Sequence, residues 1–340
     1  MALRGWGVTH WLIVVCVAVF VIDRQLPLTS TFLAPGAIIT PQLYERRSEI
    51  PQSDIVERLT VEPNSQTGEL TYIHKPTGYP ISSEIVLRVH PIQKYLQFTT
   101  AQALMYPDKF RGLVGFEFWR FFGYQFLHAD WKHLLFNMLG LWFFGHEVER
   151  FLGRKRFLAF YLLCGFFGAL LYMLLNAGGV ALAENGVTKI PPFLPHTPYL
   201  PLIGASGSVY GVIIAGACLA PNDIALLLYV IPMKLRTLAI ALIVMAVATL
   251  LTQGTNAGGQ AAHLGGAMAG WYFIRHPATL SNFFDFLGRA DPTSRTNRSR
   301  REQRKATILR SEVDRVLEKV HANGVHSLTE REKQILRDAS

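Results

Sequence analysis

The sequence predicts an all-α polytopic membrane protein, and three observations carry that prediction. Half of the 340 residues are hydrophobic while 17% are charged, against about a quarter in soluble domains. The deficit is concentrated: from Phe157 to Ile274 the only charges are Glu184, Lys189, Asp223, Lys234 and Arg236. Apolar runs close to membrane-spanning length recur along the chain, separated by loops. A water-soluble enzyme, a disordered chain and a fibrous protein are excluded on these grounds. Cys16, Cys164 and Cys218 each lie in an apolar run, with neither a disulfide framework nor a zinc-ligand spacing. They read as small buried side chains.

A membrane helix needs about 20 mostly apolar residues, and polar residues that face other helices can complete a shorter run. Six spans follow: Gly7 to Ile22, Lys132 to Val148, Phe157 to Leu175, Leu202 to Leu219, Leu235 to Thr252 and Ala261 to Ile274. The first follows Arg4 as a signal peptide would, yet the run ends in Asp23-Arg24-Gln25-Leu26-Pro27 with no small-residue cleavage site. Residues 1–24 are therefore expected to be an uncleaved first helix. Residues 25–118 form a long first loop. Leu70 to Ile73 after Asn64-Ser65-Gln66-Thr67-Gly68 predicts a small hairpin, and Ile85 to Met105 a short amphipathic helix at the membrane surface. The loop reads as a structural insert. Residues 119–275 hold spans 2 to 6. Ile224 to Ile231 is too short to span, is bounded by Pro221 and Pro232, and is expected in a loop at the interface.

Residues 276–305 read as a basic cytoplasmic linker, rich in Arg, Ser and Thr from Arg289 to Lys305, able to rest on anionic headgroups or to stay solvated. In residues 306–340, Leu309, Val313, Val316, Leu317 and Val320 recur at helical spacing, with Gly324 as a stop and Thr329-Glu330-Arg331-Glu332 as a capping box. Such a two-helix module has little core of its own and is expected to dock on a partner or a second copy. No readout motif accompanies the arginines, so no specific nucleic acid is expected.

Short-loop charges set the orientation. Arg150, Arg154, Lys155 and Arg156 lie between spans 2 and 3, Lys234 and Arg236 between spans 4 and 5. From Arg275 onward the tail holds 14 basic and 9 acidic residues. The first loop, by contrast, is close to neutral, with 8 basic and 9 acidic residues from Gln25 to Phe118. Both termini are placed in the cytoplasm, and even-numbered spans run inward.

Polar groups inside spans are costly and point to function or helix packing. Span 2 carries His133 and Asn137 four residues apart, hence on one face. Span 4 carries Gly204-Ala205-Ser206-Gly207 with Tyr210 one turn later. Span 6 carries His263 in Gly258-Gly259-Gln260-Ala261-Ala262-His263-Leu264-Gly265-Gly266. All three are inward-running, so His133, Ser206 and His263 are expected at similar depth, within about 10 Å of the outer surface. A serine becomes a nucleophile when a histidine within hydrogen-bond reach takes its proton. Small residues would let spans 4 and 6 approach: Gly204, Gly207 and Gly211 on one side, Gly258, Ala262, Gly266 and Gly270 on the other. Tyr210 could stack on the imidazole, and His133, Asn137 and the Ser206 backbone N–H could donate to an oxyanion. Taken singly, each piece has an ordinary reading as helix packing, and His128, His146 and His10 are expected to face water. Matched depth on three helices favours a shared site. No His-Glu-x-x-His is present, which disfavours metal catalysis.

With Trp119-Arg120 in the first loop, His133-Leu134-Leu135-Phe136-Asn137, Gly204-Ala205-Ser206-Gly207 and Ala262-His263-Leu264-Gly265-Gly266, the sequence resembles the rhomboid family of intramembrane serine proteases. The resemblance implies a six-helix rhomboid-like bundle and a Ser206–His263 dyad that cleaves transmembrane substrates, single-span or polytopic, near the outer face. It further implies an oxyanion hole from His133 and Asn137, support of His263 by Tyr210, and shaping of the first loop by Trp119 and Arg120. It implies no metal and no cofactor. The tail is similar to a small module on some bacterial rhomboid proteins, which suggests a bacterial inner membrane. The long first loop and an insert from Asn176 to Pro201 depart from the family pattern beside the presumed substrate entrance. A non-catalytic rhomboid-like protein that binds membrane clients is the alternative; inactive relatives generally lack the serine or histidine, or carry proline before the serine, where this chain has Ala205. A transporter would require broken half-helices or midplane carboxylates, and neither is evident.

Overall fold

The structure, a computed structural model, describes residues 6–61, 65–104, 106–108, 112–187, 190–194, 197–227, 231–283, 311–322, 324 and 328–333. The chain divides into two compact units, Met1–Leu280 and Ser281–Ser340. The first contains the long helices α1 (Val8–Gln25), α2 (Trp131–Leu152), α3 (Arg154–Glu184), α4 (Ser206–Leu219), α5 (Leu235–Leu251) and α6 (Ala257–Arg275). Among the described residues, α1 and α3 are long and apolar enough to cross a membrane by length and composition, while α4 and α5 are shorter apolar helices.

Helix α4 is the centre of the bundle. It packs against α2, α3 and α6, and its small residues Gly207, Ser208, Gly211, Ala215 and Gly216 are buried. Helix α5 lies further out and exposes Ile240, Val244 and Met245. With Trp11 and Ile22 on α1 and Phe136 and Phe143 on α2, these form an apolar exterior suited to lipid. The N-terminus of α1 is held by α2: Glu149 accepts hydrogen bonds from the backbone N–H groups of Val8 (2.7 Å) and Thr9 (2.9 Å) and from the Thr9 hydroxyl. That carboxylate satisfies donors which the helix leaves free.

Several helix boundaries differ from expectation by a few residues or more, and two of the differences bear on the site. Helix α4 begins at Ser206 rather than Leu202, because Gly204 has φ +128° and breaks the helix. Helix α3 runs to Glu184, well past Leu175. The polar Asn176 is buried within the longer helix, its amide donating to the Leu194 carbonyl at 3.1 Å.

The protein is not all-α. The first loop builds a four-stranded antiparallel sheet from β1 (Thr29–Ile38), β2 (Ile55–Thr60), β3 (Thr67–His74) and β4 (Pro80–Val89), in the order β1-β4-β3-β2. The expected hairpin is the β2–β3 pair. The first residues of the expected helix, Ile85 to Val89, belong instead to β4, where Ile85 and Leu87 pair with β1 and β3. A helix starts only at Pro91, running to Leu96, with Thr100–Ala103 after it. Proline disfavours helical backbone in the residue before it and suits a first helical turn, and Asp23 caps that turn through the N–H groups of Ile92 and Gln93. The described residues of the Ile224 to Ile231 run are likewise extended: Ile224–Leu227 pairs antiparallel with Ile231–Lys234.

The sheet docks on the segment that leads into α4. Thr197 donates to the Leu33 carbonyl (3.0 Å), the rings of Phe32 and Tyr199 meet edge-on at 4.6 Å, and Phe98 and Leu202 exchange backbone hydrogen bonds.

Smaller expectations also change. Cys16 and Cys164 are buried, but Cys218 in the last turn of α4 is exposed. His128 is buried, and His10 and His146 bring their Nε2 atoms to 3.4 Å of one another.

In the second unit, residues 311–322 are helical with Val316 buried. Gly324, at φ +74°, donates to the Val320 carbonyl as the helix stops. Thr329 and Glu332 form the reciprocal capping bonds. Leu309 and the linker from Arg289 to Lys305 lie outside the described residues.

Candidate active site

Ser206 is the first residue of α4. The turn that delivers it is fixed by Gly204, whose N–H donates to the Tyr124 carbonyl at 3.0 Å. Gly204 also has no room for a side chain. A Cβ there would lie 2.7 Å from Cε1 and 2.8 Å from Nε2 of His133, and 3.6 Å from the Ser206 hydroxyl. Glycine is thus required twice, by positive φ and by close approach.

His263 lies two turns into α6 and is 9% exposed. Its Nε2 is 2.8 Å from Ser206 Oγ. Its Nδ1 is 3.0 Å from Oε1 of Gln260, one turn earlier on the same helix. An amide oxygen can only accept, so Nδ1 carries the proton and Nε2 is left as the acceptor for the serine O–H. Tyr210 stacks on the imidazole with centroids 4.0 Å apart and planes 14° from parallel.

Backbone contact between α4 and α6 makes this reach possible. A Cβ at Gly266 would fall 1.9 Å from the Gly207 carbonyl oxygen, and one at Gly270 would fall 2.4 Å from that of Gly211. Gly207 faces the Ala262 carbonyl. Two of the expected small residues serve other contacts. Gly204 makes room for His133 of α2, and Gly258 makes room for the Tyr172 ring of α3. Neither separates α4 from α6.

On α2, Asp130 caps the helix by accepting from the His133 N–H at 2.9 Å. That hydrogen bond, first among several, holds the Asp130 carboxyl below the ordinary range. The His133 ring accepts at Nδ1 from the Ala129 N–H (3.4 Å), which leaves Nε2–H as a donor beside Gly204. Asn137 is buried and gives one amide N–H to the His133 carbonyl at 2.8 Å, so one remains. Arg120 is buried and donates to the carbonyls of Lys94 (2.9 Å) and Gln97 (2.7 Å) as well as to Glu117. Trp119 donates to the Tyr95 carbonyl at 3.2 Å. Both residues tie the first-loop structure together.

Residues 115–276 match the family model described as the rhomboid domain. Through these residues the chain belongs to the rhomboid family. As a rhomboid it is an integral, polytopic helical membrane protein. Over 142 residues it is 32% identical to RHOMBOID-like protein 12, mitochondrial, of Arabidopsis thaliana, covering 42% of this chain and 41% of that one. Over 165 residues it is 32% identical to Rhomboid protease GluP of Bacillus subtilis, covering 46% and 25%. Over 166 residues it is 31% identical to Rhomboid protein 1, mitochondrial, of Saccharomyces cerevisiae, covering 45% and 41%. The chain thus spans less than half the length of each of these relatives. Residues 294–340 match a family of unknown function (DUF6576).

Sequence reading of this rhomboid missed Gln260. Its signal was the i, i+3 spacing to His263, which puts both on one helix face, but in a glycine- and alanine-rich helix start a glutamine reads as an end residue.

Proposed function

We propose that this rhomboid is an intramembrane serine endopeptidase, cleaving transmembrane substrates near the outer face with Ser206 as nucleophile and His263 as general base. The observation that carries the reading is the 2.8 Å contact between Ser206 Oγ and His263 Nε2. In the first step His263 Nε2 takes the hydroxyl proton as Oγ attacks the scissile carbonyl. The imidazolium then gives that proton to the leaving amine, and water reverses the sequence on the acyl-enzyme. Gln260 holds the productive tautomer and Tyr210 the ring plane. The His133 Nε2–H, the second N–H of Asn137 and the N–H groups at the start of α4 are the donors for the developing oxyanion. His133 Nε2 and Ser206 Oγ both lie beside Gly204, so donor and nucleophile converge on one place, as they must if the donor is to reach where the charge develops. Both termini are assigned to the cytoplasm, with the site opening at the other face.

The test incubates the purified protein, in liposomes, with a single-span substrate carrying small residues at its outer end, beside Ser206→Ala and His263→Ala. Cleavage by the wild type alone is expected. Equal cleavage by the Ser206→Ala protein would reject Ser206 as the nucleophile, and no cleavage by any folded protein across several substrates would favour client binding.

A further inference from the structure

The first-loop sheet is more than a covering insert. A cleft of about 340 Å³ opens between the end of α1, strand β4 and the two segments that lead into the site; Arg24, Arg88, His90, Ala129 and Ile203 are among its lining residues. Such a volume falls within the range of about 300–1,000 Å³ typical of ligand sites. Two features give it a direction and a preference.

The direction comes from the chain. Ile203 precedes Gly204 and lies three residues before Ser206. On the other side Ala129 precedes the capping Asp130 and donates to the His133 ring. The cleft therefore runs into the catalytic arrangement at both edges. Three residues of extended chain span about 10 Å, so a polypeptide with its scissile bond at Ser206 places its neighbouring outer residues in the cleft.

The preference comes from charge. Arg24, Arg88 and His90 line the cleft and, among the described lining residues, no carboxylate does. Arg24 spends one N–H on the Ala129 carbonyl and lies over the Phe20 ring, which fixes its position. Arg88 is half-buried on β4, its backbone paired with β1 opposite Ser30 and bonded to Gln66, so its guanidinium is presented from a rigid element. A cleft of one sign walled by protein concentrates the opposite charge.

We propose that the sheet is a docking element that selects substrates bearing Asp or Glu in the outer segment within a few residues of the scissile bond. The proposal deepens the protease reading and rests on it. Docking at the sheet supplies selectivity from outside the membrane, separate from the fit of the substrate helix.

The test has a binding arm that needs no catalysis. The full-length Ser206→Ala protein in zwitterionic nanodiscs is titrated with a fluorescent acidic peptide, its Asn/Gln twin and a Lys twin. The acidic peptide is expected to bind about fivefold more tightly than the amide twin, with the margin shrinking as salt rises. Arg88→Gln, which leaves Arg24 in place, should weaken the preference and Arg88→Glu should weaken it further. Equal affinity for the three peptides, or a preference unchanged in both Arg88 variants, would overturn the proposal. In a second arm the same sequences form the outer segments of a membrane substrate for the wild type. Ser206-dependent cleavage of acidic and neutral versions at equal kcat/KM would overturn the docking role and leave the protease reading intact. Acid-selective binding without any Ser206-dependent cleavage would overturn the protease reading, and with it docking as substrate selection.

Discussion

At the scale of single residues, His263 is held by three partners with distinct tasks: Ser206 on Nε2, Gln260 on Nδ1 and Tyr210 across the ring. Gln260→Ala should lower kcat on the order of tenfold, part of the 10²–10⁴ that a positioned base contributes. Gln260→Glu, which still accepts from Nδ1–H, should recover most of it. Equal loss in both variants would assign Gln260 a packing role instead. His128, in the turn before α2, gives a pH prediction. Burial, with the neighbouring His133 charge second, pushes its pKa down to about 3 from 6.5. Between those values the unfolded chain binds a proton that the folded chain refuses, so stability is full above pH 6.5 and falls as the pH drops toward 3. Thermal unfolding from pH 7 to pH 4 should show that decline, and His128→Gln should flatten it. Ser206, His263, His133 and Asn137 were legible because a polar group in an apolar span stands out. Gln260 and His128 were not, because each sits among polar or helix-end residues where nothing marks it.

At the scale of elements, the site depends on α4 and α6 meeting backbone to backbone. Gly266→Ala would place a methyl against the Gly207 carbonyl, forcing the helices apart at a cost of about 1–3 kcal/mol. Cleavage should fall with it, since Ser206 and His263 ride on those two helices. Met268→Ala, at an exposed position on the same helix, should leave both unfolding and cleavage unchanged. Matching behaviour of the two variants would contradict the packing account. The helices were readable from hydrophobic runs, since burial and lipid both select apolar side chains. The start of α4 was not, because Leu202 and Ile203 extend the apolar run and only the backbone at Gly204 ends the helix. The sheet was half-readable. Asn64-Ser65-Gln66-Thr67-Gly68 before Leu70 to Ile73 signalled the β2–β3 hairpin, whereas β1 and β4 pair across 40 or more residues of sequence, and no local pattern announces such a partner.

At the scale of the whole molecule, the division into Met1–Leu280 and Ser281–Ser340 puts Ser206 and His263 in one unit and Arg289 to Ser340 in the other. Removing Arg289 to Ser340 should leave cleavage of a model substrate within about twofold, the scatter expected when no site residue is touched. Loss of all activity would show the tail to be part of the machinery. Polar groups of α2, α4 and α6 meet beside Gly204, and Ile203, next in the chain, lines the cationic cleft. Their meeting was expected from the sequence, where each lies near the start of its span. The cleft was not, because Arg24, Arg88 and Ile203 lie far apart in the chain and come together only through the docking of the sheet.

The central claim, that Ser206 is a nucleophile activated by His263, is tested most directly with a fluorophosphonate, which loses fluoride to an activated serine. Mass mapping of the labelled wild type should place the adduct on Ser206, and His263→Ala should reduce it at least about a hundredfold. An adduct absent from Ser206, found on Ser208 instead, or formed equally fast in the His263→Ala protein, would contradict the claim.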